Sequence, residues 1–509
     1  MLVRGGRIVA VGPRAGVSVL ARPGAARLDL GGGVAMPGFV DAHIHLAEFG
    51  RTMGECDLAG TRSREEAARR TAEFARRHPD IPCIRGRGFA INDWTDPSYP
   101  TAVELDAAVP DRPCVLRSFD GHGVWVNSAA LRMAGLDART PEPHGGVILR
   151  GREGRPTGCL LESAIGLVLR SLPRPTDAEE NGTLKAAIEC LVSLGHTAVH
   201  VPTGGDTMQL AGLLARIERL YPGNTCPLRI RLFAPFEVLD EMIHARASER
   251  PADRVRAAGV KKFADGSLGS RTAWLSEPYE GGEGERGGGL RTFDPDELKH
   301  AIGATNRVGF PLLCHAIGDR ACAEVLEAFR EAGDPRVGNR LEHAQILRPE
   351  TIPLFRAAGV AASVQPAHLW TDWRASDRLL GPRRAAWCLP LRSLLDAGVV
   401  LALGSDAPVI PPDLGESLQA AVTRTDADGN PAGGWFPAQR ITPREWAVGA
   451  SYGAWRSIGE EKERGTLQPG MQADLTVLAD DILSAGFRDC RHLRVTHTIL
   501  EGELVAAPS

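Results

Sequence analysis

At 509 residues, 43% hydrophobic and 24% charged, the chain can bury a large core and has the composition of a globular protein, which excludes a disordered or fibrous one. A formal net charge of −4 gives no basis for nucleic acid or an anionic membrane surface as a partner. No run approaches the ~18 apolar residues of a membrane span, and the N-terminus lacks the apolar core of a signal peptide, so a cytoplasmic location is the expectation. Ten scattered cysteines without a C-x-x-C pair argue against both a zinc ribbon and a disulfide framework.

In chain order, residues 1–36 alternate short β-like runs with Gly and Pro, as a small sheet does. An apolar run then ends in His43 and His45, two residues apart. On a strand, positions i and i+2 face the same way, so both imidazoles can grip one metal ion. Residues 55–114 contain few clear strand–helix units and read as an inserted small mixed domain. From 115 to 439 strands alternate with helices, 295–307 and 320–332 being typical of the latter. With the run at 38–46, the strand candidates are 113–118, 197–202, 228–234, 259–264, 310–315, 340–343, 361–365 and 399–405. Polar residues close one candidate after another, and a (β/α)8 barrel brings all such ends to one mouth. One candidate too many for a barrel implies that one belongs to the insertion. The glycine-rich run at 281–289 reads as a loop, and residues 440–509 return to β-like runs. The expected architecture is therefore α/β: a barrel over 37–54 and 115–439, the insertion, and a β-sandwich-like domain made from 1–36 and 440–509.

Four further residues stand at or in these strands. His315 and His343 each close a run, Asp406 closes Val-Val-Leu-Ala-Leu-Gly-Ser-Asp, and Lys261 lies inside a strand that should be buried. Taken singly, each has an ordinary explanation: a core histidine, a helix cap, a lysine reaching solvent. Their joint order is harder to obtain by chance.

The motifs PGFVDAHIHL (37–46), DGHGVWVNSAAL (120–131), VKKFADGSLGSRTAW (260–274), CHAIGDRA (314–321), LEHAQ (341–345), GSDAPV (404–409) and the closing GTLQPGMQADLTVL (465–478) resemble those of the amidohydrolase superfamily. The similarity is to its YtcJ-like branch, which includes N-substituted formamide deformylases, and it covers essentially the whole chain. The resemblance implies a binuclear site with zinc as the default metal: His43, His45 and Asp406 on one ion, His315 and His343 on the other. Lys261, carboxylated on its amine, would bridge them. Strand parity favours Lys261 over Lys262, because Lys261 shares a face with Phe263 and Asp265. A water between two cations loses its proton near neutral pH, and Asp406 can take that proton and pass it to a leaving amine. His122 is similar to a family position that could donate a hydrogen bond to a carbonyl oxygen. Arg271 and Ser270 are candidates for a polar substrate group. Trp94, Trp274, Trp370 and Trp387 are candidate pocket walls, and His368 and Asp372 could line the mouth.

The resulting expectation is hydrolysis of a non-peptide C–N bond, the amide of a small N-acyl or N-formyl amine. A cyclic amide, carbamate, ester or deaminase-like substrate would use the same site. A small molecule is the expected partner, with homodimerisation left open. Two rivals from other classes are a non-catalytic barrel scaffold, which should have lost ligands, and a nucleotide-binding enzyme, which should show a glycine-rich turn where His-Ile-His stands.

Overall fold

Eight of the nine strand candidates enter one parallel sheet in the computed structural model of the chain. The structure describes all residues except 92–93, 97, 120–122, 144–145, 174, 204–209, 251–252, 270, 282–287, 485–486, 488 and 508–509, so most of the glycine-rich run lies outside the described residues. The strands are β1 (Phe39–Asp41), β2 (His196–Pro202), β3 (Arg229–Pro235), β4 (Val255–Phe263), β5 (Leu312–Ala316), β6 (Arg340–His343), β7 (Ala361–Val364) and β8 (Leu401–Leu403). Each pairs in parallel with the next. Just past β1, the Ala42 N–H donates to the Leu403 carbonyl of β8 at 2.9 Å, closing the barrel.

Parity along these strands sorts the side chains. Val260, Leu312, Cys314 and Leu341 join the core shared with the outer helices. That leaves Lys261, Leu313, His315, Arg340 and Glu342 on the opposite, interior face. The helix Pro295–Arg307 is capped by Asp294, which accepts from the N–H groups of Asp296 and Glu297. It buries Leu298, Ala301 and Ile302, and the helix Asp319–Ala332 buries Cys322, Val325 and Leu326. Both sets follow the i, i+3, i+4 spacing of a helix face lying on a sheet.

Both termini build β structure, as expected. Val34–Pro37, Leu475–Leu478, Val495–Leu500 and Glu503–Ala506 form an antiparallel sheet. The hairpin of Leu2–Arg4 and Arg7–Ala10 joins the same region through Ile8 N–H to Met471 O at 2.9 Å. The stretch after 440 begins differently: Pro443–Val448 is helical, and its Trp446 packs on Phe39 of β1 with ring centroids 5.2 Å apart. That stretch belongs to the barrel, and the β structure starts near Leu475.

Residues 50–184 form a second compact unit. Its sheet runs Cys56–Asp57, Ile84–Phe89, Cys114–Ser118, Gly123–Val126, Pro156–Glu162, Gly146–Arg150. The first three strands are parallel and the others antiparallel. The surplus candidate, 113–118, is its third strand, so the insertion reaches well past the expected boundary at 114. Short antiparallel strands separated by turns lack the strand–helix period that marks a barrel, which is why the sequence pattern does not divide there. Among the described residues no helix is long and apolar enough to cross a membrane.

Candidate metal centre

The C-terminal ends of the barrel strands carry the candidate ligands. His43 and His45 follow β1, Lys261 lies in β4, His315 in β5, His343 ends β6, His368 follows β7 and Asp406 follows β8. The Oδ1 atom of Asp406 lies 3.5 Å from Nε2 of His43 and 3.3 Å from Nε2 of His45. One ligand atom from each of these three residues fits within 4.8 Å of the others. The His315 and His343 rings are 4.4 Å apart between centroids, and His343 is 5.0 Å from His43. Lys261 is buried, with its nitrogen 4.8 Å from the centre of the Phe263 ring, whereas Lys262 pairs with Glu237 at 3.0 Å. Lys261 is thus the interior lysine.

Hydrogen bonds fix which ring nitrogen each histidine offers. His43 Nδ1 donates to Glu342 Oε2, and an ionised carboxylate can only accept, so Nε2 carries the lone pair. That Nε2 is buried without a hydrogen-bond partner. His343 Nδ1 donates to Gln365 Oε1 at 3.0 Å, again freeing Nε2. His315 reverses the pattern: Nε2 donates to the Gly266 carbonyl at 3.1 Å, leaving Nδ1. Burial, reinforced by the neighbouring Lys261, lowers the pKa of His43 to about 4 and that of His315 to about 3. Burial also pushes His343 well down, so all three are neutral imidazoles at pH 7, the form that could hold a metal. Burial alone would raise Asp406, but the His45 hydrogen bond and the adjacent imidazoles hold it well below the usual carboxylate range. An orphaned, buried imidazole nitrogen beside an anionic carboxylate fits a divalent cation, and the all-nitrogen-and-oxygen donor set suits zinc.

The backbone is bent to serve this arrangement. His343, Ala344 and Asp406 have φ of 68°, 44° and 62°, a left-handed conformation that costs non-glycine residues about 1–3 kcal/mol each. Asp406 is held there by its N–H to His43 O at 2.7 Å, and the His45 N–H answers to Ala407 O at 2.9 Å. Asp41 joins the same two loops: its carboxylate accepts from His43 N–H at 3.1 Å, Ser405 N–H at 3.0 Å and Ser405 Oγ at 2.5 Å. Gly404 permits this closeness, since a Cβ there would lie 2.6 Å from His43 N and 3.0 Å from Asp41 Oδ1. Gly404→Ala is expected to displace the His43 loop, lowering bound metal and cutting turnover by about 100-fold. Metal analysis and steady-state rates on the purified variant check this, and wild-type values for both would show that the loop tolerates the methyl group.

The softer candidates scatter. His122 and Ser270 lie outside the described residues. Trp94 is a core residue of the second unit, packed on Phe89 and Trp125, not a pocket wall. The Trp274 ring lies against Phe293 and beneath Arg320 and Arg291. Trp370 and Trp387 pack at the edge of an apolar cluster around Leu369, Leu379 and Leu389, each with an arginine over its ring (Arg491 and Arg383). Arg271 is exposed, with φ of 56°. Asp372 accepts from Gln345 Nε2 at 2.7 Å. His368 gains weight instead: its Nε2 is buried without a hydrogen-bond partner and lies 3.8 Å from Asp406 Oδ2, on the carboxylate oxygen that His43 and His45 leave free. Residues that pattern reading did not assign are Glu342, Arg340, Gln365 and Asp41. Their signal is weak but present, in the form of charged or polar residues inside strands that should be apolar on both faces.

A model described as the amidohydrolase family matches residues 27–506. The chain belongs to the amidohydrolase family. This amidohydrolase is 31% identical to YtcJ of Bacillus subtilis, over 95% of its own length and 91% of that protein's. It is 28% identical to the N-substituted formamide deformylase of Arthrobacter pascens, over 99% and 94% of the two chains. It superposes on a crystal structure of a metal-dependent hydrolase from Pyrococcus horikoshii with a TM-score of 0.79 at 26% identity, covering 97% of this chain and 95% of that one.

Proposed function

We propose that this amidohydrolase cleaves a non-peptide C–N bond, the amide of a small N-formyl or N-acyl amine, with two zinc ions bridged by carboxylated Lys261. The observation that carries the reading is the meeting of His43, His45 and Asp406 at the barrel mouth, each offering a ligand atom within 4.8 Å of the others. The likeness to a formamide deformylase supports the choice of bond, and the likeness to a metal-dependent hydrolase supports the metal. Bound there, a divalent cation would supply Lewis-acid polarisation of the carbonyl and a water that is acidic near neutral pH.

The protein's own groups do the rest. Asp406 is anionic and reaches the site with both oxygens, so it can orient the attacking water, take its proton and return it to the departing nitrogen. His368, facing Asp406 Oδ2, is placed to hold a substrate oxygen or nitrogen by a hydrogen bond. Burial lowers the pKa of Lys261, which favours the neutral amine that carbon dioxide must meet to form a carbamate. Phe263, 47% exposed and 5.3 Å from the His315 ring, offers an apolar contact beside the reacting centre.

The test is metal content per chain by plasma mass spectrometry, on protein expressed with zinc and bicarbonate, followed by formate and amine release from a panel of N-formyl and N-acyl amines. About two equivalents are expected. Lys261→Ala is expected to lose at least one equivalent and nearly all activity, and Lys262→Ala to keep both. A folded wild-type protein that takes up no zinc would refute the mechanism, and uptake with no amide turned over would refute the choice of bond.

A further inference from the structure

The barrel interior beneath the metal centre is not the usual filling of branched apolar side chains. It contains a charged chain, every member of which is fully buried. Glu342 accepts from His43 Nδ1 with one oxygen and from Arg340 Nε with the other at 2.6 Å. Arg340 then donates through Nη1 to His200 Nδ1 at 2.8 Å and Ser457 Oγ at 3.3 Å, and through Nη2 to the carbonyl of Ala42 at 2.8 Å. His200 in turn accepts on its own carbonyl from Ile44 N–H at 3.0 Å. The residues on both sides of His43 are thus held by the same network that holds its ring.

We infer that Glu342 is a positioning residue that sets the zinc affinity of the His43–His45–Asp406 half of the site by fixing the tautomer of His43, and that Arg340 is its anchor. This rests on the metal-binding reading above. The argument is one of hydrogen-bond types. A carboxylate can only accept, so it forces the proton onto Nδ1 and the lone pair onto Nε2, where the cation would sit. An amide of the same shape can donate or accept. With Gln at 342, His43 can place its proton on Nε2 and accept from the new side-chain N–H, which turns a ligand into a donor facing the metal. Arg340 denies Glu342 that freedom. It supplies the opposite charge that lets a carboxylate stay ionised out of water, and its Nε–H holds Oε1, leaving Oε2 to accept from His43. Unlike the ligands, this pair lies behind the imidazole, out of reach of substrate.

The experiment compares zinc retained by wild-type and E342Q protein, loaded with zinc and equilibrated against buffers of stepped free zinc. Metal per chain is read by mass spectrometry, and the zinc-dependent rise in melting temperature is read alongside. The expected result is that E342Q releases one equivalent at free zinc roughly 10–100-fold higher than wild type does. Should E342Q fail to fold because Arg340 is left unpaired, R340Q/E342Q removes both charges and is expected to show the same weakening. In a His43→Ala background E342Q is expected to leave the residual zinc affinity unaltered, which a merely structural role for Glu342 would not produce. Wild-type retention by E342Q or R340Q/E342Q, or equal weakening with and without His43, overturns the inference. Wild-type protein that retains no zinc overturns the metal reading itself, a different and separable outcome.

Discussion

Asp406→Asn is expected to cut kcat/KM by about 1,000-fold or more, the upper range for losing a positioned proton carrier. The substitution is chosen for its backbone. Asp406 sits at φ 62°, a conformation that Asn tolerates better than any other replacement except Gly, so the loop should keep its shape. What changes is chemistry. The carboxylate loses its charge, and whichever way the amide turns, it has only one oxygen for His43 and His45 on one side and His368 on the other. Zinc held by the His43–His45 pair is expected to fall as well, whereas the apo-protein should melt as the wild type does. Turnover above a tenth of the wild-type value, with zinc bound, would remove Asp406 from the proton path.

Arg229→Met is expected to act on stability and leave the chemistry alone. Arg229 opens β3 at the end of the barrel away from the site, fully buried, with its guanidinium clamped on Asp474 at 2.7 and 3.2 Å and on Glu501 at 2.9 Å. Asp474 and Glu501 flank the terminal sheet's strands, so one guanidinium joins that sheet to the barrel floor. Removing it leaves Asp474 ionised and nearly out of contact with water, a loss of about 3–5 kcal/mol. The denaturation midpoint should drop accordingly, while zinc content and kcat of the folded fraction stay put. Burial alone would raise the Asp474 pKa, but Arg229 outweighs it and the carboxyl is held below its ordinary range. Its contribution is therefore complete above the ordinary carboxylate pKa and is lost as pH falls through the lower folded value. A wild-type midpoint for the variant would mean that the clamp contributes nothing net.

The parts of the site legible in the sequence were those with a local signature. His-Ile-His at the end of an apolar run, and His315, His343 and Asp406 closing theirs, announce themselves because polar residues interrupt hydrophobic strands at their ends. Lys261 over Lys262 followed from parity alone. Glu342 and Arg340 were not assigned, although they stand in the same four-residue strand as His343, since their roles depend on partners 140 and 299 positions away. Alternation in a short strand cannot say that both charges face inward. The end of the insertion is not legible for a related reason: the strand 113–118 has the same apolar character as the barrel strands, and only its pairing with Ile84–Phe89 and Gly123–Val126 reveals where it belongs. Trp94 shows the limit of reading aromatics, because packing and recognition draw on the same residue.

The hydrogen bonds from Ser405 to Asp41 span 364 positions, between the end of β1 and the loop after β8. A ribosome will have released the His43–His45 segment long before Asp406 exists. Until then the two imidazoles would not have the Asp406 carboxylate beside them. On the proposed metal reading, the three-residue cluster would close only after β8 and the loop behind it have been made and have met β1. A chain cut short before Asp406 would lack the carboxylate that joins His43 and His45 in the three-residue cluster.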